Sequence, residues 1–244
     1  MEIGFFGDSL VAGRFGVSFV DILADRLPDD HLFNFGRNGD SVLDTHEFLT
    51  TINFTSPLDL AVVWTGVNDV LPTVSPSFRV LRRIIGKPWT HASEEFVAVY
   101  SSLLDWMSGI ASHSIVLPPL CISEDLNSPW NAVIARMAHR IRELVVQRDD
   151  VTFLDVHEPL RAGWQEADVS DSFSDHFGAV ARDTILIRSG QDADRLTKKR
   201  GLLFTFDGIH LNSRGAALVA NLLQPQIEAV MSGASRSPDG APGM

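Results

Sequence analysis

Cysteine is almost missing from this chain: Cys121 is the only one in 244 residues. No intramolecular disulfide can form, so a disulfide-stapled fold is excluded and no oxidising compartment is implied. Cys121 follows the apolar run Ile115 to Leu120 and reads as a small buried hydrophobe. Positive charge is also scarce. Twenty Lys and Arg stand against 31 Asp and Glu, for a formal charge of −11. That balance argues against nucleic acid or an anionic membrane as the main partner, because both would be repelled. No apolar run approaches the roughly 20 residues of a membrane span, so stable membrane insertion is not expected. The chain enters its first strand without a basic or hydrophobic leader, which predicts a cytoplasmic protein. There is no Walker loop, no dinucleotide-binding glycine fingerprint and no Cys/His zinc spacing. Asp192-x-Asp194 lacks the glycine and terminal glutamate of a calcium loop and reads as a solvated turn. Neither a metal nor a cofactor is therefore expected.

The apolar residues that are present come in short runs separated by amphipathic stretches. Strands are expected at Glu2–Phe6, Leu32–Phe35, Leu58–Trp64, Ser114–Leu117 and Val151–Val156. The run 58–64 is nearly continuous, as suits a strand buried on both faces of a parallel sheet. Helices are expected from Phe15 to Pro28, from Asp40 or Ser41 to about Ile52, and over Ser77–Ile85, Ser93–Ala111 and Ser128–Val146. A last helix carries Leu218, Val219, Leu222, Leu223, Ile227 and Val230, with a kink expected at Pro225. Alternation of this kind implies right-handed crossovers and a parallel sheet covered on both faces. One domain over 1–231 accounts for the chain. Residues 157–200 lack a clear period and read as a lid, arm or mobile insertion. Residues 232–244, rich in Gly, Ala, Ser and Pro, read as a disordered tail.

In a parallel sheet the loops after the strands share one edge, where α/β folds place their ligands. Those loops hold Gly7-Asp8-Ser9-Leu10, Gly36-Arg37-Asn38-Gly39-Asp40-Ser41, Gly66-Val67-Asn68-Asp69 and Asp207-Gly208-Ile209-His210. Each string alone could be a turn or a helix cap. Together they hold the residue types that acyl transfer requires. Ser9 supplies a hydroxyl, and His210 can take its proton at neutral pH. Asp207, three residues earlier, can reach the other ring nitrogen. Asn68 offers a side-chain N–H, and the backbone N–H groups of Ser9 and Gly39 complete an oxyanion hole. His157 and His176 compete for the base role, with a structural or rim role expected of both.

These four elements, in this order, resemble the SGNH, or GDSL, hydrolase superfamily over nearly the whole chain. The resemblance implies a three-layer α/β/α flavodoxin-like sandwich around a five-stranded parallel sheet, and a metal-independent ester hydrolase. It implies Ser9 as nucleophile and backbone donor, Gly39 as backbone donor, Asn68 as side-chain donor, His210 as base and Asp207 as its orienting acid. The long segment before Asp207 departs from compact relatives and leaves the substrate open. Small or short-acyl esters are the expected class, with carbohydrate O-acetyl esters, lysophospholipids, thioesters or acyl transfer to an alcohol as alternatives using the same residues. A binding module with a relic site is the more distant alternative. Asp8, Arg82, Arg83 and Trp89 are expected on the substrate rim, against a plainer reading of the arginines as a solvated helix face. The expected partner is a small-molecule ester, and homo-oligomerisation is left open.

Overall fold

The computed structural model describes residues 1–125, 127–167 and 193–233. Five strands form one parallel sheet in the order β2-β1-β3-β4-β5: β1 (Glu2–Gly7), β2 (His31–Gly36), β3 (Leu60–Trp64), β4 (Ser114–Leu117) and β5 (Val151–Phe153). This is the flavodoxin-like strand order, and its direction reverses beside β1, opening a crevice at the carboxyl ends of β1 and β3. Register explains how the loops meet there. Gly7 pairs with both Gly36 and Trp64, so the segments after β1, β2 and β3 start level with one another.

Side chains that alternate across the sheet build a layer of helices on each face. Phe5 meets Phe19 of α2 (Phe19–Arg26), edge to face at 6.0 Å. Its neighbour Phe6 points the other way and stacks on Phe35 at 5.0 Å, with Phe54 beyond it. Phe54 in turn meets Trp106 of α6 (Ser93–Ser108). The final helix, α10 (Ser213–Met231), packs on α2, and α6 packs between α3 (Val42–Thr51) and α7 (Pro129–Val145). All five residues of β3 are buried, as its continuous apolar run requires, whereas edge strand β2 is partly exposed. Cys121 is buried, and burial pushes its thiol up to about 12. Among the described residues no helix is long and apolar enough to cross a membrane.

Four helices differ from the sequence reading. Ser9–Ala12 forms a short helix, α1, because the Asp8 carboxylate caps the Leu10 N–H at 3.0 Å. The Asn68 segment is the first turn of α4 (Val67–Val74), not a loop. Its Pro72 made the segment look irregular, yet the helix runs through it to Val74, and extended Ser75 then caps the start of α5 (Pro76–Ile84). Two parts of the 157–200 stretch are regular: α8 (His157–Ala167) and α9 (Ala193–Arg200). α9 is too polar for its period to show, and only Ala193, Leu196 and Thr197 are buried. The last helix continues through Pro225 to Met231. The expected insertion between α8 and α9, with His176 and Asp192, and the tail beyond 233 lie outside the described residues.

Candidate active site

Gly7 makes the turn into Ser9. A Cβ there would lie 1.9 Å from the Trp64 carbonyl oxygen, so only glycine lets β1 and β3 stay paired as the chain turns. Ser9 is then the first residue of α1 and is buried at the sheet edge. His210 arrives from the other end of the chain, 201 residues later, with Nε2 3.0 Å from Ser9 Oγ. Its Nδ1 lies 2.7 Å from Asp207 Oδ2. The other Asp207 oxygen accepts the backbone N–H groups of Ile209 and His210 at 3.0 and 2.7 Å. Burial alone would raise the Asp207 carboxyl. The His210 charge and these hydrogen bonds outweigh it, so the group sits below its ordinary value and stays ionised. The imidazole also lies between aromatic rings, Phe206 stacked at 5.8 Å and Phe15 edge-on at 5.7 Å. A hydroxyl, an imidazole and a carboxylate in this line can move a proton from the hydroxyl onto the ring.

The second loop begins at the end of β2. Gly39 has φ +75°, which a side chain would strain, and a Cβ there would meet nothing within 4 Å. Asn68 Nδ2 donates to the Asp40 carbonyl at 3.0 Å, which leaves the second amide hydrogen for another acceptor. Asp69, beside it, is fully enclosed. Its carboxylate accepts the N–H of Val42 at 2.8 Å and both the N–H and hydroxyl of Thr90 at 3.0 Å. Burial still raises its carboxyl to about 6. Asp8 is buried, with one carboxylate oxygen on Leu10 N–H and the other without a hydrogen-bond partner among the described residues. Burial pushes this carboxyl up to about 7.

The residues expected on the rim are distributed otherwise. Arg82 is 4% exposed and points inward. Its Nη1 donates to the Gly39 carbonyl at 2.8 Å, and Nη2 donates to the Pro88 carbonyl and lies 3.3 Å from Asp44 Oδ2. Neither a rim position nor a solvated face describes it: Nη1 and Nη2 are held by protein acceptors, and Nε, equally buried, has no hydrogen-bond partner among the described residues. Trp89 is also buried, against the His91 ring at 4.8 Å, while Arg83 is exposed and lies over the Trp89 indole. His157 is turned away from Ser9. Its Nε2 lies 2.8 Å from the Pro119 carbonyl, and burial lowers its pKa.

Sequence reasoning missed Glu124. It is 2% exposed, and its carboxylate accepts the N–H groups of Leu203, Phe204 and Thr205 and the Thr205 hydroxyl, all at 2.6–2.8 Å. Ser123 N–H adds a bond to the Gly208 carbonyl at 2.8 Å. One side chain thus fixes the approach to Asp207 and His210. Its only sequence signal was the acidic pair Glu124-Asp125 just after an apolar run. Among the described residues no group of three His, Cys, Asp or Glu is placed to hold a metal ion.

The sequence profile of the GDSL-like Lipase/Acylhydrolase family matches residues 5–218. The chain belongs to this family. It is a carboxylic ester hydrolase of the GDSL type. No curated protein matches the chain in sequence. Several solved structures resemble it in fold. The acetyl xylan esterase AlAXEase superposes with a TM-score of 0.64 at 17% identity, covering 93% of this chain and 100% of that one. LAE5, an alpha/beta hydrolase enzyme from the metagenome of Lake Arreo, Spain, gives 0.63 at 17% identity and 96% of both chains. Axe2, an acetylxylan esterase from Geobacillus stearothermophilus, gives 0.62 at 16% identity, over 92% of this chain and 93% of that one. At these identities the likeness is one of fold. The GDSL membership rests on the profile match.

Proposed function

We propose that this GDSL hydrolase cleaves small or short-acyl esters through an acyl-enzyme on Ser9, with His210 as the base and Asp207 as its orienting acid. The observation that carries the reading is the line Ser9 Oγ–His210 Nε2–Asp207, 3.0 and 2.7 Å long, assembled from opposite ends of the chain. Ser9 Oγ attacks the ester carbonyl carbon while its proton passes to His210 Nε2. The N–H groups of Ser9 and Gly39 and the free Asn68 amide hydrogen receive the oxyanion. Collapse expels the alcohol, which takes the proton from His210. Water then loses a proton to His210, attacks the acyl carbon, and the carboxylic acid leaves as Ser9 regains its hydrogen.

The test is hydrolysis of p-nitrophenyl esters from acetate to palmitate, by the wild type and Ser9→Ala. Acetylated xylan is added because two of the proteins similar in fold are named for it. Wild-type turnover should be greatest at the short acyl chains. Ser9→Ala should lose at least about 10⁴-fold in kcat without losing its fold. An active, folded Ser9→Ala enzyme overturns the nucleophile assignment, and a palmitate optimum overturns the short-acyl class.

A further inference from the structure

We infer that Arg82 is a positioning residue of the reaction, acting through the Gly39 carbonyl to aim the Gly39 N–H at the oxyanion. The inference rests on the acyl-enzyme reading. Gly39 occupies a left-handed turn, and no described residue comes within 4 Å of a Cβ position, so no side-chain packing on that side holds it. Its carbonyl is gripped instead by Arg82 Nη1 at 2.8 Å. The same planar guanidinium reaches the Pro88 carbonyl and Asp44 Oδ2 through Nη2. Asp44 also forms the capping box of α3, accepting the Ser41 N–H and hydroxyl at 3.0 Å each. Arg82 therefore ties the turn to a helix start on one side and to the chain beyond α5 on the other.

The Gly39 N–H and carbonyl belong to the two peptide units hinged at its Cα, so the grip on the carbonyl fixes one unit and limits the rotation by which the N–H could turn from the oxyanion position. A burial this deep disfavours a cation, and the carboxylates of Asp69, Asp44 and Asp40 offset part of that cost. Lys87 supplements the anchor one residue on, with Nζ 2.6 Å from Asp40 Oδ1. Lysine at position 82 would carry its three donors on a single nitrogen and could not span acceptors held by two separate nitrogens of a planar fork.

The experiment compares the wild type, Arg82→Lys and Arg82→Gln on the best short-acyl p-nitrophenyl ester, with ¹⁵N relaxation of the Gly39 amide measured well below each Tm. Arg82→Lys should lower kcat by about 10- to 100-fold, less than the loss of a whole donor, with KM little changed. The Gly39 amide should gain fast motion while β1 and β3 amides stay rigid. Arg82→Gln should lose more on both readouts. A Gly39 amide that stays rigid in folded Arg82→Lys overturns the inference, as does a mobile amide with undiminished kcat. If both variants fail to fold, the wild type still decides. Slow exchange of the Arg82 Nη1 protons supports the bond to Gly39, and exchange as fast as that of exposed Arg83 overturns it. A wild type that cleaves no ester sinks the acyl-enzyme reading and with it the role of Arg82 in the reaction, whereas a rigid Gly39 amide in folded, ester-cleaving Arg82→Lys overturns the inference and leaves the acyl-enzyme reading standing.

Discussion

The two loops that the proposed mechanism sets around Ser9 are held by opposite means. The Gly39 loop is anchored by cations, with Arg82 on the Gly39 carbonyl and Lys87 on the Asp40 carboxylate. The Asp207–His210 loop is anchored by an anion, with Glu124 receiving four donors from Leu203 to Thr205. The signs follow from which backbone groups are left over. A left-handed turn exposes carbonyls and needs donors. The segment entering the Asp207 turn exposes N–H groups and needs an acceptor. Both anchors come from elements far away in sequence, so each loop is rigid only in the folded protein.

The comparison can be broken in order of expected effect. Asn68→Ala removes a proposed oxyanion donor and its hold on the Asp40 carbonyl, so kcat for short esters should fall about 10²–10³-fold. A change confined to KM would reduce Asn68 to a binding residue. Glu124→Gln presents an amide hydrogen to one of its four donors, and leaving a buried donor unmet costs about 1–3 kcal/mol. For a chain of this size each kcal/mol shifts Tm by about 2–4 °C. Thermal denaturation should therefore show a drop of several degrees, with Gly39 unaffected. An unchanged Tm would mean that the acid–base loop is self-supporting.

Asp8→Asn tests the ground between the loops, since the Asp8 carboxylate feels the charges of both His210 and Asp40. Its folded pKa, raised by burial to about 7, lies above the roughly 3.9 of an unfolded aspartate. The unfolded chain therefore loses this proton first, and wild-type stability declines as pH rises from about 4 to 7. Asn keeps the cap on Leu10 but has no such proton. Tm of Asp8→Asn should exceed that of wild type at pH 8, with the advantage fading toward pH 4. Parallel Tm curves over that range would show that Asp8 is solvated.

The sheet and the four loop strings were legible because short apolar runs followed by Gly, Asn and Asp are set by local geometry. Strand Leu60–Trp64 and the turn at Gly66 follow from their own residues. The anchors were not legible. Hydropathy assigns an arginine such as Arg82 to solvent, and only its tertiary acceptors make burial tolerable. Glu124 is hidden for the same reason, and α4 because Pro72 lowers its apparent helicity. Asp8, Arg82 and Trp89 are interior where the rim was expected, while Arg83 alone of the four is exposed.

The 201 residues between Ser9 and His210 have a temporal meaning as well. At about 5–20 residues per second, synthesis of the histidine trails that of the serine by roughly 10–40 s. His210 directly precedes α10, which must close against α2 before the imidazole can settle beside the hydroxyl. If the proposed mechanism holds, a nascent chain therefore carries a serine with no base at its side, and is silent toward esters until its last helix has docked.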